Sequence, residues 1–552
     1  MDPRSSGKRL KRINTKLAST EDKSLYGQMS SLHFLEHAPV PLSTMEMHSA
    51  SGDLILGAKH EVLMMFYKFS SDSDGGREIL NALTALKSRA ESEKTPVRVC
   101  MIVNSRGKLA EALYGYNQPL GLEKLGGSEF FHLKVTYHPT SAFGTLHSKL
   151  ILVDSTFAMI RGGDPHSGND RDRHQFETAT LIQGPLVAIM RQDFCDVWNA
   201  YNIDPLHVSP APATLTDKRD STASSIPCLF LSKRENGNPF YYGSCAAPYK
   251  IAFLQAIEDA VTCIDIMTSN INDPDICAAL AKACNRGIFV NILTGKDLND
   301  SKEYWWGGTN LYALASIVRQ VDTAHLPFLS IRWATNDQNN LVHHGEKFTL
   351  HAKYACIDKL VVFAGSSPLD KQAMYYSREA DIIFEDADAA AQFDLKFFRP
   401  CHAAFRDYFD DAYFILFNAI ELESKRISQS ADTDLKREKA ERLREMLAAL
   451  SQVTRPPRDK LLFLLDAAGP LLEIRTGNKP GMPYSYNTVM NMIYKYGLEH
   501  HLSAAPLMVV PEVEKQKHGF FTPPALHRSK SMGSLHTQTE DKGESLKLNS
   551  SM

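Results

Sequence analysis

The sequence predicts an α/β protein of two similar αβ halves related by pseudo-two-fold symmetry, with a helical C-terminal extension. Three observations predict it. One order of apolar and helical segments occurs twice. A Pro-, Ser-, Thr- and Ala-rich stretch separates the two copies. The same spaced set of polar residues recurs near the end of each copy.

The first copy reads LILGAKHEVLMMFYKF, then EILNALTALKSRA, then TPVRVCMIVNS. The second reads FLQAIEDAVTCIDIMTSNI, then PDICAALAKACNRG, then IFVNILTGK. Each is helix, buried strand, helix, strand. Residues 97–103 and 288–293 are apolar and rich in β-branched side chains, as central parallel strands are. Ile276, Leu280 and Cys284 recur at helical spacing, which makes Cys277 and Cys284 helix residues in or near a core.

The expected organisation is a disordered basic leader over 1–30, a first half over 31–208, a linker over 209–225 and a second half over 226–415. A helical extension over 416–508 and a polar, Ser-rich disordered tail over 509–552 follow. Leu443, Met446, Leu447, Leu450 and Val453 mark one face of a helix starting near Asp432. The run KREKAERLRE reads as the solvated side of that helix.

Composition narrows the function. The chain has 552 residues and a formal net charge of −3, which excludes a globally basic nucleic-acid coat but not a local basic groove. Its nine cysteines form no C-x-x-C pair, against a disulfide scaffold or zinc ribbon and in favour of a reducing compartment. No run of 18 apolar residues exists, and the basic N-terminus lacks the apolar stretch of a secretory signal.

The recurring residues carry the chemistry. LHSKLILVDSTFAMIRGGD contains His147, Lys149, Asp154, Gly162 and Gly163. LHAKYACIDKLVVFAGSSP contains His351, Lys353, Asp358, Gly365 and Ser366. Both fit H-x-K-x4-D followed by G-[GS]. One such match is weak evidence; two at matched places of a duplicated chain are strong. On a strand, residues two apart share a face, so each His sits beside its Lys. Each Asp falls at a turn, and the glycines are expected to let backbone approach a ligand.

On these two motifs the chain resembles the phospholipase D superfamily over about residues 30–415. The resemblance extends to FETATLIQGPLVAIMRQDFCDVW and READIIFEDADAAAQFDLKFF, each an acid on a strand followed by a helix. It implies that Glu177 orients His351 and that Glu379 orients His147. The active site then lies at the interface of the halves. The implied catalytic set is His147, Lys149, Asp154, Glu177, His351, Lys353, Asp358 and Glu379, with the two aspartates holding the loops. Gly162, Gly163, Gly365 and Ser366 are the implied substrate-binding positions. One histidine, His147 by resemblance, attacks phosphorus, and His351 serves as acid and base, with no metal and no other cofactor. The chain departs from the family at Pro165 and Pro368, where an asparagine often stands.

The leading expectation is a phospholipase D-type hydrolase that releases phosphatidic acid from glycerophospholipids. A cardiolipin-synthase-like transphosphatidylase, a nuclease and an inactive lipid-binding scaffold are the alternatives. The expected partner is a phospholipid membrane surface, with no nucleic acid and with one chain sufficient for catalysis. Peripheral membrane contact from the cytosol, or after export by a non-Sec route, follows from the missing spans. The tail's composition is similar to that of secreted bacterial effectors. Trp305 and Trp306 are candidates for insertion at a membrane interface, with packing under their loop the simpler reading. His343 and His344 read more simply as loop histidines than as metal ligands.

Overall fold

Strand alternation divides every central strand of this chain between two cores. In the computed structural model, Val62, Met64 and Phe66 of one strand join one apolar cluster, while Leu63 and Met65 join another. Val99, Met101 and Val103 divide from Cys100 and Ile102 in the same way. A strand covered on both faces must be apolar at every position, which is why these segments read as continuous runs. The structure describes residues 7–20, 26–29, 32–105, 117–118, 120–139, 144–170, 175–201, 205–206, 226–236, 246–295, 310–333 and 349–409, with five positions between 434 and 448.

In chain order the main strands are β1 (Tyr26–Met29), β2 (His33–Leu35), β3 (Val40–Ser43), β4 (Glu61–Phe66), β5 (Val97–Ser105), β6 (Phe131–Pro139), β7 (Leu150–Val153), β8 (Phe157–Arg161) and β9 (Thr178–Gln183). The second half supplies β10 (Ile226–Lys233), β11 (Cys263–Thr268), β12 (Phe289–Thr294), β13 (Leu329–Trp333), β14 (Lys353–Ile357), β15 (Val361–Gly365) and β16 (Ala380–Glu385). The first sheet runs β3-β9-β8-β7-β4-β5-β6. The second repeats that order as β10-β16-β15-β14-β11-β12-β13. Along these seven strands each sheet has four antiparallel pairings followed by two parallel ones. The duplication in the sequence is thus a duplication of sheet topology.

The two sheets face each other across a shared core that takes Leu63, Ile102 and Leu152 from one and Phe230, Met267 and Val362 from the other. Helices cover the outer faces. α1 (Lys8–Ala18), α5 (Pro248–Glu258), α6 (Pro274–Asn285) and α7 (Asn310–Gln320) pack on the second sheet. α2 (Thr44–Leu56) and α3 (Asp74–Glu93) pack on the first. α4 (Leu186–Tyr201) places Phe194 and Trp198 in the shared core. Cys277 and Cys284 lie buried on α6 in the outer core.

Two boundary expectations need correction. The leader is not disordered over residues 8–18: α1 buries Leu10, Ile13 and Leu17 completely or nearly so. That stripe is only three residues long and sits among Lys8, Arg9, Lys11, Arg12 and Lys16, so it barely registers in local hydropathy. Remote groups supply its stability. Arg9 pairs with Asp358 at 2.5 Å, and Glu385 accepts the backbone N–H groups of Arg9 and Leu10 at the helix N-terminus. The first half also does not begin at residue 31. β1 and β2 both pair with β10 in the second sheet, and the first sheet begins at β3. Residues 209–225, Trp305, Trp306, His343, His344 and the tail over 509–552 lie outside the described residues. So does most of 416–508, although its five described positions are all helical and exposed.

Candidate active site

Backbone bridges at the seam decide where the functional side chains meet. His147 N–H donates to the Arg378 carbonyl at 2.9 Å, and Arg378 N–H donates to the Thr145 carbonyl at 2.7 Å. Reciprocally, Gln175 and Phe176 pair in parallel with Thr349 and Leu350, and His351 N–H donates to the Phe176 carbonyl at 2.9 Å. Each histidine is therefore bonded to the residue just before the other half's glutamate. The side chains follow. His147 Nδ1 lies 2.8 Å and 3.0 Å from the two carboxylate oxygens of Glu379, and His351 Nδ1 is hydrogen-bonded to Glu177 Oε1. With Nδ1 occupied, each ring presents Nε2 to the site.

The lysines lie beneath. Lys149 is fully buried and Lys353 nearly so. Lys149 Nζ donates to the His147 carbonyl at 2.6 Å. Lys353 Nζ lies 2.6 Å from His351 Nδ1 and 3.6 Å from Glu177 Oε2. The imidazoles are the open part, with side chains 19% and 25% exposed. The result is a cationic floor under two accessible nitrogen bases. His147 and Lys149 stand just ahead of β7, at the strand entry, while Lys353 opens β14.

The charges are distributed unequally. Burial, then the Lys149 and Lys353 cations, hold His147 well below the usual imidazole range. Burial also lowers His351, but Glu177 opposes the fall. Burial would raise Glu177, yet His351 and Lys353 hold it down to about 2. Glu379 is pushed up to about 7 by burial. It has acidic company: Asp381 rises to about 8 through burial and the charge of Glu379, and Asp370 rises to about 6 through burial. Burial takes the Lys353 ammonium down to about 8.

The motif aspartates hold the loops, as the resemblance implies, and make no contact with the reacting side chains among those described. Asp154 and Asp358 are not in the site; they lie at the far ends of β7 and β14. Asp154 accepts the backbone N–H groups of Lys59, His60 and Glu61 at 2.7–2.8 Å. Asp358 does the same for Val261, Thr262 and Cys263. Both take positive φ in a tight turn, 52° and 54°, and so fasten each hairpin to the strand beside it. The motif glycines also have a packing role. A Cβ on Gly163 would stand 2.7 Å from the Glu177 carboxyl carbon, and one on Gly365 would overlap the Asp381 carboxylate. Their smallness makes room for the carboxylates. Ser366 donates to Glu379 Oε2 at 2.5 Å and accepts from Ala380 N–H, which positions that carboxylate.

Sequence reading missed four residues, all from the first half. Tyr67 meets His147 edge-on at 5.2 Å between ring centroids. Asp164 lies 3.8 Å from Lys149 Nζ and accepts Tyr67 N–H. Lys68 Nζ lies 5.5 Å from the centroid of the Tyr67 ring, and His166 N–H donates to the Asp164 carbonyl at 3.0 Å. The D-P-H order after Gly162-Gly163 was the available signal, but no spacing rule singles it out.

Residues 253–399 match the family described as "Cardiolipin synthase, PLD-like domain". The chain therefore carries a phospholipase D-like domain within its second half. A domain of this kind points to phosphodiesterase or phosphotransferase chemistry. Similar solved structures include a phosphatidylserine synthase of Haemophilus influenzae Rd KW20 (14% identity, 72% of this chain and 91% of that one, TM-score 0.47). Nuc, a phospholipase D family member of Salmonella typhimurium, is similar at 22% identity over 29% of this chain and 90% of that one, with TM-score 0.23. A polyphosphate kinase of Porphyromonas gingivalis is similar at 11% identity over 62% and 44%, with TM-score 0.36. No curated protein matches the sequence. Among the described residues, no helix is long and apolar enough to cross a membrane.

Proposed function

We propose that the chain transfers a phosphatidyl-type group between alcohols through a phosphohistidine, a reading that replaces the hydrolase expected from sequence. The observation that carries the two-step chemistry is the crossed His–Glu pairing over two buried lysines. The family description supports transfer and a lipid substrate. Neutral His147 attacks phosphorus through Nε2. The bond to the leaving alcohol breaks, and that oxygen takes the Nε2 proton of His351. An acceptor alcohol then gives its proton to His351 and attacks phosphorus, and the P–N bond breaks to restore His147. Lys149 and Lys353 neutralise charge on the non-bridging oxygens.

Hydrolysis is the second reading. It is favoured by the exposure of both imidazoles, which gives water a path to the intermediate. The test is incubation with mixed phospholipid vesicles, a primary alcohol and single-stranded DNA. Phosphatidylalcohol in excess over phosphatidic acid is the expected product. Phosphatidic acid alone would establish the hydrolase, and cut DNA with intact lipid would overturn the lipid reading.

A further inference from the structure

The rim of the site holds a third histidine with a fixed tautomer. His166 lies two residues after Asp164, the carboxylate that sits by Lys149, and its ring is partly exposed. Its Nδ1 accepts the Gly168 backbone N–H at 3.0 Å, capping a short 3-10 turn over Ser167–Asn169. An imidazole that accepts at Nδ1 carries its proton on Nε2 when neutral. Among the described residues, no hydrogen bond uses that Nε2. His166 N–H donates to the Asp164 carbonyl at 3.0 Å, and the Asp164 carboxylate lies 3.8 Å from Lys149 Nζ and accepts Tyr67 N–H, so the backbone holds His166 next to the cationic floor of the site. Burial keeps it at about 4, so it is neutral near pH 7.

We propose that His166 contacts the substrate, donating its Nε2–H to a non-bridging oxygen of the bound phosphodiester. A neutral donor suits this place. Two lysines already supply charge, and a third nearby cation would depress the reacting histidines further. A directed N–H adds orientation without that cost. The second half has no counterpart: the chain after Gly365-Ser366 continues through Ser367 and Pro368 to Leu369, which is buried. This neutral donor therefore comes from the first half alone, while both halves supply a lysine. The inference rests on the reading of the pocket as a phosphodiester site.

Two substitutions separate binding from folding. Asparagine at 166 keeps an oxygen to cap Gly168 and an N–H to donate. Aspartate keeps the capping oxygen but has no donor. The experiment uses the full chain and compares wild type, His166→Asn and His166→Asp by thermal melting, by titration with inorganic phosphate and by steady-state kinetics. The expected result is equal melting of the two variants. Phosphate affinity should stay within about threefold of wild type for Asn and fall about tenfold or more for Asp, with kcat/KM following. Equal affinity in all three proteins, or equal loss in both variants, overturns the assignment. Phosphate discrimination between the variants without turnover of any lipid would leave His166 in place and overturn the transferase reading instead. Wild type that binds no phosphate would overturn both.

Discussion

The two copies of the motif share a backbone and differ in their electrostatics. His351 faces Glu177, a carboxylate held at about 2 by His351 and two lysines despite its burial. His147 faces Glu379, pushed up to about 7 and next to Asp381 at about 8. Burial still lowers His351, but the ionised Glu177 opposes the fall, so this ring keeps more hold on a proton than burial alone would leave it, as suits a proton donor. A weakly ionised partner beside two lysines leaves a neutral ring, which is what a nucleophile must be. Duplication thus supplied two identical positions, and their neighbours made them unequal.

The largest effects should test that inequality. His147→Ala and His351→Ala should each lower kcat/KM by roughly 10⁴ or more on an alkyl phosphodiester. A p-nitrophenyl leaving group needs no protonation, so it should restore much of the first step in His351→Ala and none in His147→Ala. Rescue of His147→Ala instead would reverse the two roles.

Next come the glutamates. Glu177→Gln should cost roughly 10²-fold or more in kcat and Glu379→Gln clearly less, because only Glu177 is firmly ionised in the free protein. Stability should move the other way. A carboxyl whose folded value rises to about 7 takes up a proton on folding. The stability it lends is full below about pH 4.5 and is lost as pH rises through about 7. Glu379→Gln should therefore melt higher than wild type at pH 8, by an increment of ~2–3 kcal/mol, and gain little at pH 5. A uniform change at both pH values would show that Glu379 does not titrate in this range.

Lys353 gives a smaller, graded effect. Its ammonium is lowered to about 8, so KM for a phosphodiester should climb as pH rises through about 8. Lys353→Arg should remove that dependence, whatever its effect on absolute rate, because guanidinium stays charged. The smallest effect belongs to the helix clamp. Arg9→Ala should cost about 1 kcal/mol in chemical denaturation, since the pair is partly exposed, and should leave kcat unchanged.

Much of this was legible in the chain. The doubled order of helices and strands and the two H-x-K-x4-D motifs were visible as spacing and residue type, while the crossed glutamates came only as what the family resemblance implies. Local pattern failed where stability or placement comes from far away. Leu10, Ile13 and Leu17 form a helix because Asp358 and Glu385 hold its end. β1 and β2 join the far sheet because β10 offers them an edge. Local pattern also did not show which carboxylates the motif glycines make room for.

The sequence by itself determined that there are two copies and that histidine and lysine carry the chemistry, because strand and helix periodicity and residue type are local properties. Only the tertiary structure decided that the copies meet so that each glutamate serves the other half's histidine. It also brought Tyr67, Asp164 and His166 to one side of the site and gave the two glutamates opposite electrostatic fates. Those outcomes depend on burial and on charges contributed by residues distant in the chain, and neither is encoded in any one segment.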